Sequence, residues 1–449
     1  MQCAPSRSKS GGIREIGVKL LGLITLVGVL TLEMDGALEA GSSSQASAPE
    51  PPPQTGEAPP VQEPPPKKDD SSKPVTHEKE PPAQKAAEEG IIPKSIRIPG
   101  TDLALKIGGY AKVDFIQDFD AIGNAFDFQT NSIAMEGTDQ AAESGRTTIH
   151  ARETRVNFDL SSHGKEKFRV FVEGDFYGDG NAFRLRHAYG EFHGFLGGQT
   201  WSTFQDISAR PLTIDFEGPD GEVFVRQAMI RYTRALTPNW HWAVAVESPT
   251  PQFAVPSGLP GVAKSNAPDF PAFVRYQAKR GHFQLAGMLR QIRFDGGQGV
   301  EDVTSTGFGV NATFALKTIG HDELQGMFVT GDGVARYIES LGGQNVDAVL
   351  SPDGELTTLR SRAFTIGYTR HWTKELKSGI AYSSSDVKSD PAQSGSAIDG
   401  TDDFRVNLIF SPYPLVDVGS ELLWGRRENV DESEGEAWRA QFAVIYHFN

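Results

Sequence analysis

From about residue 101 to its end the chain repeats one pattern: apolar and polar residues alternate with a period of two, in stretches separated by turn-forming residues. In "TRVNFDLSSHGKEKFRVFVEGDFYG", residues 154–178, Val156, Phe158 and Leu160 fall on one face and Arg155, Asn157 and Asp159 on the other. This alternation specifies strands with one apolar and one polar face. A single soluble hairpin would satisfy it. Sixteen such stretches, with almost no amphipathic helix to cover them, need a different solvent on each face. They lie near 104–117, 147–161, 166–178, 183–193, 196–205, 223–235, 239–249, 269–279, 281–294, 305–318, 321–331, 359–372, 375–385, 402–411, 415–427 and 436–449.

The connections alternate as well. Short ones such as "SSHGKE", "ALTPN", "TKE" and "SPYP" take turns with long polar ones at 118–146, 206–222, 250–268, 332–358 and 386–401. Tight turns on one side and long loops on the other are the asymmetry of a transmembrane β-barrel, whose even strand count returns both ends to the periplasmic side. A propeller would repeat at about 40–50 residues with a blade signature, and none is present. A sandwich needs no aromatic girdle, whereas Trp240, Trp242, Tyr232, Tyr276, Tyr368, Trp424 and Tyr446 share the apolar parity near strand ends, as an interfacial belt requires. The expected fold is therefore all-β: a sixteen-stranded antiparallel barrel.

The first hundred residues are of another kind. All 27 Phe, 6 Trp and 10 Tyr lie after residue 100, so the folded part begins there. Basic residues Arg7, Lys9, Arg14 and Lys19 precede the apolar run Leu20 to Leu32, followed by small residues. Such a run is short of the roughly 20 residues of a transmembrane helix and reads as a secretory signal peptide, assigned to 1–40. Residues 41–100 are proline-rich, with 13 prolines between Gly41 and Pro93. With little apolar surface to bury, they are expected to form a disordered or polyproline periplasmic linker, with peptidoglycan as a candidate contact. Residues 101–449 are assigned to the barrel. The one cysteine, Cys3, falls in the leader, which excludes disulfides and thiolate metal sites from the mature chain. The net charge of −15 argues against nucleic acid as a partner.

The stretches "ETRVNFDL", "FRVFVEGDFYG", "FRLRHAYGEF", "GGQTWSTFQD" and the closing "DVGSELLWGRRENVDESEGEAWRAQFAVIYHFN" resemble the DcaP-like porins of Gram-negative outer membranes, over essentially residues 103–449. "RLRHAYG" followed by "GQTWSTF" is the most specific part. The resemblance implies a homotrimer of sixteen-stranded barrels, in contact with outer-membrane lipid and lipopolysaccharide, that passes small, often anionic, organic solutes. The chain departs from the family in its proline-rich N-terminal segment, where members carry a coiled coil, and in ending on Asn449 after Phe448.

Charge on a lipid face costs about 2–4 kcal/mol at mid-depth, so parity turns charges inward. Lys112, Arg155, Arg169, Arg231, Arg275, Arg290, Arg405, Arg427 and Arg439 are expected to line the lumen, with Arg184, Arg186 and Arg226 near strand ends where parity is unreliable. Two readings stay open. The arginines form a ladder that hands carboxylates along the channel, or each pairs with an inward acid among Glu153, Asp159, Glu173, Asp175, Glu191, Glu247 and Glu421. The loop "QDISARPLTIDFEGPDGEV" after the fifth strand either folds inward, placing Arg210, Asp215, Glu217 and Asp220 at a constriction, or stays outside as a solvated loop.

Enzyme signatures are missing: G-x-S-x-G, H-E-x-x-H and the P-loop have no match. "GFGVNA" belongs to a strand, and the Asp-Gly clusters "GDFYGDGN" and "DAVLSPDGE" read as turns before they read as calcium loops. No cofactor and no metal is expected. The expected function is passive diffusion of small hydrophilic solutes, organic anions such as dicarboxylates favoured. A structural envelope anchor and a cation-preferring pore are the alternatives.

Overall fold

The computed structural model describes residues 93–448 apart from 163, 165 and 298. The expected leader, Cys3 and nearly all of the proline-rich segment lie outside the described residues. Sixteen antiparallel strands form the wall: β1 Leu103–Asp118, β2 Arg155–Ser162, β3 Phe168–Asp175, β4 Arg184–Phe192, β5 Phe195–Trp201, β6 Arg226–Ala235, β7 Trp240–Glu247 and β8 Phe270–Ala278. They continue with β9 Gly281–Gly296, β10 Val303–Lys317, β11 Glu323–Asp332, β12 Arg360–His371, β13 Leu376–Val387, β14 Ile398–Tyr413, β15 Val416–Asn429 and β16 Glu434–Phe448. Each pairs with its sequence neighbours, and β1 closes the cylinder on β16, in register from Gly109↔Phe448 to Asp118↔Arg439. Closure leaves the sheet without an edge, which hydrocarbon would not tolerate.

The sixteen strands expected from periodicity are all present, with one broken. Thr147–His150 and Arg155–Ser162 both pair with β1, and the interruption between them carries Glu153 into the interior. The tight turns cluster at one end, and three of them have two residues, among them His193-Gly194 between β4 and β5, where φ is 49° and 84°. Positive φ at both central residues suits a two-residue hairpin. A Cβ on Gly194 would also lie 2.7 Å from the Thr233 carbonyl oxygen.

The two faces follow parity. Val113, Phe158, Ile230, Leu285, Val310 and Phe328 are exposed on the outside, while their neighbours Lys112, Asn157, Gln284 and Asn311 are buried inside. Phe195, Tyr232, Trp242, Trp240 and Tyr276 form an aromatic belt at the turn ends of β5 to β8, with ring centroids 4.7 Å apart for Phe195–Tyr232 and 4.9 Å for Trp240–Tyr276.

The interior departs from the purely polar lumen that parity implies. Met288, Met327 and Val329 point inward and pack with Phe204, Val223, Val334, Tyr337, Ile338 and Leu341 from two connections. Phe128 and Ile133, from the connection after β1, cover Leu423 and Ala437. A small hairpin, Ala348–Leu350 with Leu356–Thr358, seats Ala348, Leu350 and Leu356 against Ile292 and Phe294. Inward apolar residues are stable here because the long connections fold down and remove them from water.

Candidate functional site

The segment between β5 and β6, 202–225, is the first element that places functional side chains. Glu247 of β7 captures its start: Ser202 Oγ and Thr203 N donate to the two carboxylate oxygens, both at 2.7 Å. Asp206 then fastens it to the far wall, accepting from Arg275 of β8 at 2.6 Å and Thr313 of β10 at 2.6 Å, with His282 Nε2 of β9 at 2.7 Å. Further along, Ile214 N and Asp215 N donate to Glu421 of β15 at 2.9 and 2.7 Å, and Lys112 of β1 donates to the Ile214 carbonyl at 2.6 Å. The return passes Ser383 of β13, whose Oγ accepts from Gly221 N at 3.1 Å. Contacts with β1, β7, β8, β9, β10, β13 and β15 put this segment across the interior.

Arg405 of β14 is the hub of that crossing. It reaches Asp403 at 2.6 Å, Asp215 at 2.9 Å and Asp220 at 3.1 Å, all four side chains being buried. Asp215 and Asp220 also accept from Phe128 N and Thr130 N at 3.0 Å, which locks the connection after β1 onto the segment. Arg210 bonds Glu222 at 2.7 Å and caps the carbonyls of Phe216 and Glu217. Gln129 donates to Glu217 at 2.8 Å. Burial, opposed by Arg210, holds the Glu222 carboxyl above its ordinary range. Burial and the facing Glu217 do the same to Glu339, on the connection between β11 and β12.

The basic residues are mostly compensated. Lys112 pairs with Glu153 and, at 3.2 Å, with Asp114. Arg169 forks onto Asp159 with both bonds at 2.9 Å. Arg184 forks onto Asp175 at 3.0 and 2.8 Å, and Arg186 joins Glu173 at 2.9 Å and Asp175 at 3.0 Å. Arg275 is held by Asp206, Arg290 by Asp347 at 2.9 Å, and Arg439 by Asp118 at 2.6 Å. Arg155 lies 3.4 Å from Glu153 and 3.9 Å from Glu173. Three of the twelve residues expected to form the ladder form no ion pair among the described residues. Arg427 donates to the Asn131 carbonyl at 2.7 Å, Arg231 keeps a buried Nε without a hydrogen-bond partner, and Arg226 keeps such an Nη1.

Four of these positions gather together, three of them around one aromatic ring. Arg155, Arg184 and Arg186 lie 5.8, 5.5 and 5.3 Å from the Phe216 ring, and Arg226, stacked over Trp201 at 4.7 Å, is within electrostatic range of all three. Phe216 itself stacks on Tyr177 at 4.3 Å. The parity exception has a local cause. The pairing of β3 with β4 slips between Glu173↔His187 and Gly174↔Leu185, a bulge that turns the consecutive Arg186 and His187 both inward. A strict period of two conceals this, although "RLRH" is the signal.

Sequence reasoning missed Asp206, Glu222, Asp269, Arg336, Glu339 and Asp347. Arg336 and Asp347 lie in the long connection before β12, and Asp269 accepts from Tyr337 Oη at 2.6 Å. Asp206 and Glu222 belong to the stretch with an inward fold as one reading, but loop residues carry no parity that would single them out, and Asp269 stands at the margin of a strand. Among the described residues, no group of three or more His, Cys, Asp or Glu side chains is placed to hold a metal ion.

Among solved structures, the outer membrane channel DcaP of Acinetobacter baumannii superposes with a TM-score of 0.69 at 22% identity, covering 79% of this chain and 99% of that one. An anion-selective porin of Comamonas acidovorans gives 0.50 at 10% identity, covering 77% of this chain and 100% of that one. OmpF of Salmonella typhi, in complex with daunomycin, gives 0.50 at 10%, covering 79% and 100%. At these identities the likeness is one of fold. No curated protein sequence matches. A family model described as DcaP outer membrane protein matches residues 92–448, and with a match over most of its length the chain belongs to the DcaP outer membrane protein family.

Proposed function

We propose that the chain forms a water-filled channel for passive diffusion of small hydrophilic solutes, with organic anions such as dicarboxylates favoured, and that it is not an enzyme. Family membership and the closed barrel support an outer-membrane channel. The anion preference rests on one observation. Arg226 keeps a buried Nη1 without a hydrogen-bond partner, beside Arg155, Arg184 and Arg186. Arg155, Arg184 and Arg186 share the acids Glu153, Glu173 and Asp175, whereas Arg226 forms no ion pair among the described residues where the lumen-crossing segment comes closest. In this reading a carboxylate that reaches these groups exchanges its water for guanidinium N–H donors.

In this reading Arg210, Asp215, Glu217 and Asp220 build the constriction, and Lys112, Arg169, Arg231, Arg275, Arg290, Arg405, Arg427 and Arg439 shape the walls around it. The acids of the segment face the arginines of β2, β4 and β6, which sets a transverse field across the passage. The signal peptide 1–40 delivers the chain, 41–100 spans the periplasm toward peptidoglycan, 101–449 is the barrel, and three copies assemble in the membrane.

The test is the reversal potential of the purified, bilayer-reconstituted protein in a KCl gradient, with succinate or phthalate added as a blocker. Anion selectivity with block by the dicarboxylate is expected. Cation-selective conductance would overturn the anion preference and leave the channel; absence of conductance would favour a structural envelope anchor.

A further inference from the structure

The outer surface carries a charged patch that the channel does not use. On β12 the buried Ser361, Ala363 and Thr365 face inward, so Arg360 and Arg362 face outward, in line with the exposed Phe364 and Ile366. On β13 Ser385 and Val387 are buried, which turns Asp386 outward, and Lys388, just beyond the strand, is exposed too. The ladder brings these groups together. Arg360 stands opposite Asp332 of β11 and forks onto it at 2.9 and 3.0 Å; Arg362 stands opposite Thr330 and Asp386; and Lys388 N donates to the Arg360 carbonyl at 2.8 Å. Arg362 is exposed and forms no ion pair among the described residues.

Three cations and two carboxylates therefore sit on the lipid-facing side, at the strand ends that emerge into the long connections. Immediately below them the outward face is Phe364, Phe328, Ile366 and Ile380, all exposed and apolar. Charge is tolerated on a lipid face only near the interface, so the patch lies level with the headgroups of the outer leaflet. Alternate outward residues on a strand are about 7 Å apart and neighbouring strands about 5 Å. The Arg362 guanidinium and the Lys388 ammonium at that spacing match phosphate oxygens, which guanidinium binds in bidentate fashion.

We propose that Arg362 and Lys388, with Arg360 adding its charge beside them, bind the phosphates of the outer leaflet's phosphorylated glycolipid. Asp332 orients Arg360 and leaves Arg362 and Lys388 as the open donors. This rests on the outer-membrane placement and is independent of the channel's ion preference.

The experiment compares full-length, detergent-purified protein with two probes, bisphosphorylated lipid A and its enzymatically dephosphorylated form, read by native mass spectrometry. Wild type is expected to hold the phosphorylated form about tenfold more tightly, the worth of one charge-assisted contact, and Arg360→Ala/Arg362→Ala/Lys388→Ala is expected to lose that difference while conducting as wild type. Equal binding of the two lipids to wild type overturns the proposal without relying on any variant. So does a triple variant that binds phosphorylated lipid normally, or one whose only change is its oligomeric state, which would make the patch a contact between copies.

Discussion

Arg405 and Arg226 show how differently two arginines of one lumen behave. Arg405 is fully enclosed by Asp403, Asp215 and Asp220. Removing one partner of such a buried network leaves uncompensated charge and costs about 3–5 kcal/mol. Arg405→Ala is therefore expected to lower folding stability by about that much, measured as the urea midpoint for refolding into lipid vesicles; an unchanged midpoint would contradict the hub. Arg226 forms no ion pair among the described residues and keeps a buried Nη1 without a hydrogen-bond partner. Arg226→Ala is expected to leave stability nearly unchanged and to lower the anion-to-cation permeability ratio by about tenfold in dilute salt, with the effect fading toward 1 M as screening shortens the field. A ratio insensitive to this change at low salt would remove Arg226 from the pathway.

At the scale of elements, the 202–225 segment is a crossbar pinned at both ends of its span. Asp206 holds one end to β8, β9 and β10, and Glu421 and Lys112 hold the other. Asp206→Ala is expected to release the near end and raise single-channel conductance while weakening ion selectivity. The crossbar also meets the connection between β11 and β12: Glu339 N donates to the Glu222 carbonyl and Ser340 N to that of Asp220, both at 3.0 Å. Glu222 and Glu339 have raised carboxyl pKa values in the folded state, where Arg210, Arg405, Glu217 and Asp220 surround them. A raised acid favours folding most when protonated in both states, so this contact is strongest below the ordinary carboxylate range of about 4.3 and weakens as pH rises through the folded values. Hydrogen exchange at Glu339 and Phe224, corrected for intrinsic rate, should show a larger opening free energy at pH 5 than at pH 8, and Glu339→Gln should flatten that difference. Equal protection at the two pH values would refute the sign.

For the whole molecule, the wall has two solvents, and side-chain polarity is sorted between them. Val310, midway along β10, faces out and its neighbour Asn311 faces in. Val310→Arg is expected to cost about 2–4 kcal/mol of folding free energy in vesicles, whereas Val310→Leu should cost clearly less; equal costs would mean that Val310 does not face lipid. The strand number, their order and the face most wall residues take were legible from periodicity alone, including the outward Trp240, Tyr276 and Tyr446. Less legible was the interior. The twelve basic positions named from the sequence include Arg226, whose strand-end parity is unreliable, and Arg186, placed by a bulge that alternation conceals.

By itself, then, the sequence determined the barrel, because a period of two acts locally: each strand needs only its own residues to present lipid with one face and water with the other. Only the tertiary structure decided which charges cancel. Arg405 meets Asp215 across 190 positions of chain and Arg439 meets Asp118 across 321. Ion pairs form over a few ångströms, and only closure of the cylinder and the inward fold of its loops bring such distant residues that close.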